Sequence, residues 1–333
     1  DIDFTGKNVY IGTFKGKLEG NNHTLSNIDI LGSGKNGLIY YQYGTIQNLN
    51  FENVRINNTN VTYMGLFGYT TSTSNFKNIS INNVTIEVPE GTTKEGMMIG
   101  ALIGNANYAK VSYVAANNVK IRVSEGLYGI NVGGLIGYSY GSYIDSTFVN
   151  NVDIRVDNVS SSNGVGGLLG REAGGSIGIL SNSYSTGTVH ANTANTGGLV
   201  GQTQGYVENC YSTVNVSSEL SYIGGIAGLV RGALDTVQNS VYFGNVYSSS
   251  DDINIGRING SYDSNENNYS MDESLINGEK LPDKTNGEQV IPREDWLRAE
   301  TYENFLGDAF YYGDTERAVV PKLYKEDYET LMP

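Results

Sequence analysis

The chain of 333 residues has one cysteine, Cys210, two histidines, five prolines and one tryptophan. A single cysteine excludes an internal disulfide framework and any multi-cysteine metal site. Such a lone thiol is expected to be a small buried filler. The two histidines, His23 and His190, are too far apart in sequence to form H-E-x-x-H, in which two imidazoles lie one helical turn apart. Neither sits beside a nucleophile elbow, so no Ser–His–Asp triad can be read. Charged residues make up only 17%, and the formal net charge is −14. That balance excludes a nucleic-acid partner, which needs Lys and Arg against its phosphates, and membrane-surface attraction. No apolar run is long enough to insert through a bilayer as a helix. The segment from Asp1 to Pro333 carries neither signal peptide nor anchor and is expected to be a piece of a longer protein.

What is abundant is glycine, with 43 residues, and tyrosine, with 25. Both favour turns and strands over helices. The glycines recur in a cassette: GLIY (37–40), GLFG (65–68), GALIG (100–104), GGLIG (133–137), GGLLG (166–170), GGLVG (197–201) and GGIAG (224–228). Its closing positions are spaced by 28, 36, 33, 33, 31 and 27 residues. A period near thirty with variable loops marks stacked supersecondary units.

Each cassette is followed by an alternating run such as FKNISINNVTI (76–86) or VENCYSTVNV (207–216), the pattern of half-buried strands. A helix-free unit of two or three short strands cannot bury its own apolar face, but stacking unit on unit can. Expected inward ladders are Leu66, Leu102, Leu135, Leu168, Leu199 and Ile226, and Val54, Val84, Val119, Val152, Val189 and Val216. Asn53, Asn83, Asn118 and Asn151 precede four of those valines and are expected to stack as an amide ladder at a turn. The fold class is all-β, a right-handed parallel β-helix of seven to eight coils over residues 1–260. Residues 261–333 form an acidic capping and linking segment.

The cassette with its following [IV]-x-N-[SC]-x-[SY] resembles the GLUG repeat of bacterial surface proteins. The opening GTFKGKLEGNNHTLSNI (12–28) is similar to the start of the repeat region in immunoglobulin A protease-like zinc metalloproteases, and VVPKLYKEDYETLMP to its end. The resemblance implies a non-catalytic, extracellular module at the bacterial surface, assisting or positioning a glycoprotein substrate. Zinc is then expected only in a catalytic domain outside this chain. The implied partner is a host glycoprotein such as immunoglobulin A, or other domains of the same protein. A stand-alone adhesin module and a β-helical polysaccharide lyase or glycosidase are the alternatives.

Residues 261–333 hold 17 of the 35 acidic residues and 7 of the 21 basic ones. PREDWLRAETYENFL (292–306) opens with a proline suited to a first helical turn and predicts a short capping helix. DSNENNYSMDE (263–273) imitates the start of a calcium loop through Asp263, Asn265 and Asn267. Asn268 stands where such a loop has glycine, and Ser274 where it has glutamate. Carbohydrate-cleaving β-helices need clustered carboxylates. Here Asp145, Asp153 and Asp157 fall within one coil, with Glu172 in the next.

The residue after each cassette reads Tyr41, Tyr69, Asn105, Tyr138, Arg171, Gln202 and Leu229. With Tyr43, Tyr140 and Tyr143 nearby, the first coils gain a tyrosine edge, either a contact surface or a shield over the turns. Three connections are long, at 88–98, 123–131 and 156–165, and insertions of this kind collect on one face of a solenoid.

Overall fold

In the computed structural model the described residues are 1–292, except 35, 125–127, 158–160, 175–177, 193–194, 220–221, 232–235, 250–253, 262–264 and 281–287, together with 295, 310–311 and 322–323. Eight coils follow one another, opening in register at Ile11, Ile39, Phe67, Ile103, Ile136, Leu169, Val200 and Ala227. Every pairing between coils is parallel, in one sheet of 23 strands and a second of seven. The architecture is an all-β parallel solenoid. The short helix expected at 292–306 lies almost wholly outside the described residues.

The leucine ladder forms as the periodicity requires. Leu66, Leu102, Leu135, Leu168, Leu199 and Ile226 are wholly buried, and the backbone links each to the next from Leu102 to Ile226. It continues to Ile258, because Ile226 N donates to Ile258 O at 2.8 Å. IGRING (255–260) is thus an eighth cassette that its missing second glycine conceals in the sequence.

The valine ladder needs a correction. Val54, Val84, Val119 and Val152 stack, but Val152 then meets Gly187, and Val189 meets Ile154. Val189 and Val216 therefore extend the row of Ile56, Ile86, Ile121 and Ile154. The strand shortens between Val149 and Val152, where the partner coil has one residue, Thr186, opposite Asn150 and Asn151. A displacement of two keeps side chains on the same face, so both rows stay buried.

The asparagine ladder is continuous from Asn27 to Asn151. The Nδ2 of Asn53, Asn83, Asn118 and Asn151 each donates to the Oδ1 one coil earlier, at 3.1, 3.3, 3.1 and 2.8 Å. All five residues have φ between 55° and 58°. Asparagine tolerates this left-handed geometry, so the same side chain turns the backbone and ties the coils together. The row ends where Gly187, at φ 120°, takes over the bend. A second left-handed row runs through Asn48, Asn78, Asn182, Asn209, Asn239 and Asn267, with Tyr113 and Ser146 in its middle.

One glycine shows why most cassettes keep a glycine at their centre, where only GALIG has alanine and IGRING arginine. A Cβ on Gly198 would lie 2.1 Å from Gly225 O and 2.6 Å from Ser212 Oγ, so at this coil the chains approach too closely for a side chain. At the last coil this row ends in Arg257, which is 1% exposed. Its Nε donates to Glu288 Oε1 at 2.7 Å. Glu288 belongs to Glu288–Ile291, which pairs in parallel with Asn268–Met271. Arg257 and Glu288 thus tie this strand to the last cassette through a buried pair, in which burial raises the Glu288 carboxyl to about 7 against the pull of the guanidinium.

Two measurements check this account. Asn118→Ala is expected to lower unfolding free energy by about 2 kcal/mol, combining left-handed strain with two lost ladder bonds; Asn118→Gly should recover about half in urea titrations. Glu288→Gln leaves a buried guanidinium without its counter-charge and is expected to cost about 3–5 kcal/mol. Replacing Arg257 and Glu288 together by methionine should cost much less.

Candidate binding face

The cassette sets up a seam. Its chain leaves the seven-stranded sheet, bends at the glycines and enters the large sheet, so two rows of side chains face each other across the bend. One row is Tyr69, Asn105, Tyr138, Arg171, Gln202 and Leu229, in register. The other includes Tyr63, Met98, Asn131 and Gly164, continued by Asn195 before Thr196. Three contacts fix the pairing: Tyr63 on Tyr69 with centroids 5.5 Å apart, Asn105 Nδ2 to Met98 Sδ at 3.2 Å, and Asn195 Nδ2 to Gln202 Oε1 at 3.3 Å. Asn131 Oδ1, Arg171 Nε and Gln202 Nε2 are buried along this seam with no hydrogen-bond partner.

The tyrosines fall into three groups. Tyr41 and Tyr69 are register neighbours and close a half-buried quartet with Tyr40 and Tyr63. Asn107 Nδ2 donates to Tyr69 Oη at 2.5 Å. Tyr138 is separated from that quartet by Asn105 and lies 5.9 Å under the Arg171 guanidinium. Two residues on, Tyr140 meets Tyr108 edge to face at 5.3 Å, and both rings are 38% exposed. Tyr143 lies round the corner at the start of Tyr143–Val156, in register with Lys110 and Ile179, and is 46% exposed. Tyr43 stands apart beneath the Lys15 ammonium, 5.4 Å from its ring centroid. Sequence reasoning missed Tyr40, Tyr63 and Tyr108. Tyr63 had a signal in the near-constant offset of six or seven residues between the facing rows.

The longer connections do converge. Gly96 N donates to Tyr128 O at 2.9 Å, and Tyr128 is the register partner of Ser161. Tyr128 is 55% exposed on this side.

The acids are not brought together. Asp145 accepts from Ser181 at 2.9 Å and Asn182 at 2.7 Å, Asp153 pairs with Arg122, and Asp157 pairs with Arg155. Glu172 lies elsewhere in the coil, opposite Ser139, and is 3% exposed. Its Oε1 accepts from Gly141 N and Gly174 N, both at 3.0 Å. Burial pushes its carboxyl up to about 7 despite those donors. Among the described residues no group of three or more His, Cys, Asp and Glu assembles. His23 contacts Asp1, and His190 contacts Ser217 at 2.9 Å. Cys210 is wholly buried, and desolvation raises its thiol far above the ordinary range.

Of the calcium-like loop, Asp263 lies outside the described residues. Asn265 is in strand Asn265–Glu266, in register with Val237. Asn267 donates to Asn239 Oδ1 at 2.7 Å and accepts from Tyr269 Oη at 2.8 Å, as a member of the second asparagine row.

The GLUG motif matches residues 192–217. No curated protein matches the sequence. Among solved structures, the chain is similar to a Bacteroides ovatus protein designated a candidate immunoglobulin A1 protease, at 18% identity and a TM-score of 0.53. That alignment covers 93% of this chain and 86% of the other and shows a shared fold. A second structure, of an IgA1 protease, aligns at 13% identity and a TM-score of 0.47, over 90% of this chain and 23% of the other.

The Glu172 carboxyl gives a pH prediction. Its folded value of about 7 lies above the usual 4.5. Its contribution is therefore full below 4.5 and lost as pH rises toward about 7, up to about 3 kcal/mol. Glu172→Gln is expected to flatten the fall in melting temperature across that window.

Proposed function

We propose that this chain is a non-catalytic β-helical module of an immunoglobulin A protease-like surface protein, holding a glycoprotein substrate for a catalytic domain elsewhere in the parent polypeptide. The fold it shares with the Bacteroides ovatus protein and the GLUG motif support the class of parent. The observation that carries a binding role is the exposed Tyr108–Tyr140 pair beside Tyr138 and Arg171. Tyrosine offers a wide amphipathic contact at little entropic cost, and arginine beside it adds directional donors. Tyr41 and Tyr69 serve differently, since each ring is packed within the quartet and shields the turn beneath. An extracellular setting follows from this reading, with zinc belonging to the catalytic domain.

Immobilised immunoglobulin A1 is the test ligand, measured by surface plasmon resonance with the whole chain. Replacing Tyr108 and Tyr140 together by alanine is expected to weaken binding at least about tenfold, as for aromatic anchors, with little change in melting temperature. Tyr69→Ala should instead lower the melting temperature. Absence of wild-type binding, or equal binding by the double variant, would overturn the proposal; adhesion to host cells without immunoglobulin binding would favour a stand-alone adhesin.

A further inference from the structure

Round the corner from that pair, the outer face of the large sheet carries two aromatic–carboxylate pairs set two coils apart. Tyr143, Ile179 and Tyr206 are successive register partners. Two positions further along the same strands, Asp145, Ser181, Glu208 and Gln238 are successive partners. An aromatic ring and a carboxylate therefore stand together at two coils, Tyr143 with Asp145 and Tyr206 with Glu208, separated by one coil that carries Ile179 and Ser181. Tyr143 is 46% exposed and Tyr206 36%. Tyr143 and Tyr206 therefore present partly exposed rings two coils apart on one row of this face. Ser181 Oγ donates to Asp145 at 2.9 Å and Gln238 Nε2 to Glu208 at 2.9 Å, which fixes both carboxylates in place. Asp145 also accepts from Asn182 Nδ2 at 2.7 Å and Ser146 Oγ at 3.0 Å, so of the about four hydrogen bonds a carboxylate accepts it keeps room for about one ligand donor, and Glu208 for more.

Parallel strands stack about 4.8 Å apart, so the equivalent groups recur at about 10 Å along the axis. A β-1,4-linked sugar chain has the same symmetry. Successive rings are rotated by a half-turn, so equivalent faces and substituents recur at every second sugar, over a similar length. An α-linked chain curves away and does not keep that register. Two carboxylates on the face disfavour an acidic polysaccharide and favour one that offers hydroxyl and amide N–H donors.

We propose that Tyr143 and Tyr206, with Asp145 and Glu208, form a binding track for a linear, uncharged β-1,4-linked glycan bearing N-acetyl groups, lying parallel to the solenoid axis. Alternate sugars stack on the two rings, and their amide or hydroxyl groups donate to the carboxylates. Ile179 fills the gap beneath the intervening sugar. This track does not depend on the immunoglobulin reading, and it uses neither Tyr108 nor Tyr140.

The test titrates the whole chain with the β-1,4-linked tetrasaccharide of N-acetylglucosamine, followed by calorimetry and by tyrosine-ring NMR. The α-1,4-linked glucose tetrasaccharide and free N-acetylglucosamine serve as comparisons. The β-linked tetrasaccharide is expected to bind at least about tenfold more tightly than either, since only it engages both rings. Tyr206→Ala and Tyr143→Ala should each weaken it about tenfold, while Tyr206→Phe, which keeps the ring, should bind nearly as the wild type. Asp145→Asn should weaken binding less, with the melting temperature checked because Asp145 also holds Asn182. No saturable binding, equal binding of the α-linked chain, or unchanged binding by both alanine variants would overturn the track. Because no immunoglobulin is present, failure here leaves the substrate-binding reading standing, and the converse also holds.

Discussion

The fold depends on parallel backbone hydrogen bonding from each coil to the next. Once one coil is laid in register on another, every side chain has its equivalent about 4.8 Å above and below it. A residue that cannot stack on itself is then penalised along the whole column. Leucine, isoleucine and valine satisfy this inside, where columns fill a dry core. Asparagine satisfies it at the bends, because one amide both donates and accepts and its backbone tolerates positive φ.

Departures from the columns are informative for the same reason. Gly187 ends the asparagine row and marks the shortening of the strand between Val149 and Val152. Among the described residues Arg257 ends the central glycine row, and its charge is met by Glu288. That exchange puts a paired charge where the glycine row would otherwise continue.

Variation is confined to positions that the columns leave free. The seam row changes from Tyr69 to Asn105, Tyr138, Arg171 and Gln202 without disturbing the leucines beside it. Surface rows such as Tyr143, Ile179 and Tyr206 can alternate because they face water, where stacking is not compulsory. A solenoid thus offers a ruler of fixed spacing, and variation along it determines what it can measure.

The sequence by itself determined the strands, the parallel stacking, the leucine column and the asparagine ladder, because each follows from periodicity within thirty residues. It also made Cys210 a buried filler. The tertiary structure alone decided which residue stands over which. Val189 falls on Ile154 because a single residue was lost at the bend; at the earlier offset it would stand opposite Asp153, on the other face. Tyr63 meets Tyr69 because the chain folds back at a glycine corner, and a ring packed in that way shields the turn as much as it contacts a partner. Glu172 and Asp145, close in sequence terms, are separated because one enters the interior before the corner and the other leaves it afterwards. Local pattern fixes the face on which a side chain lies; loop length, summed over coils, fixes its neighbours.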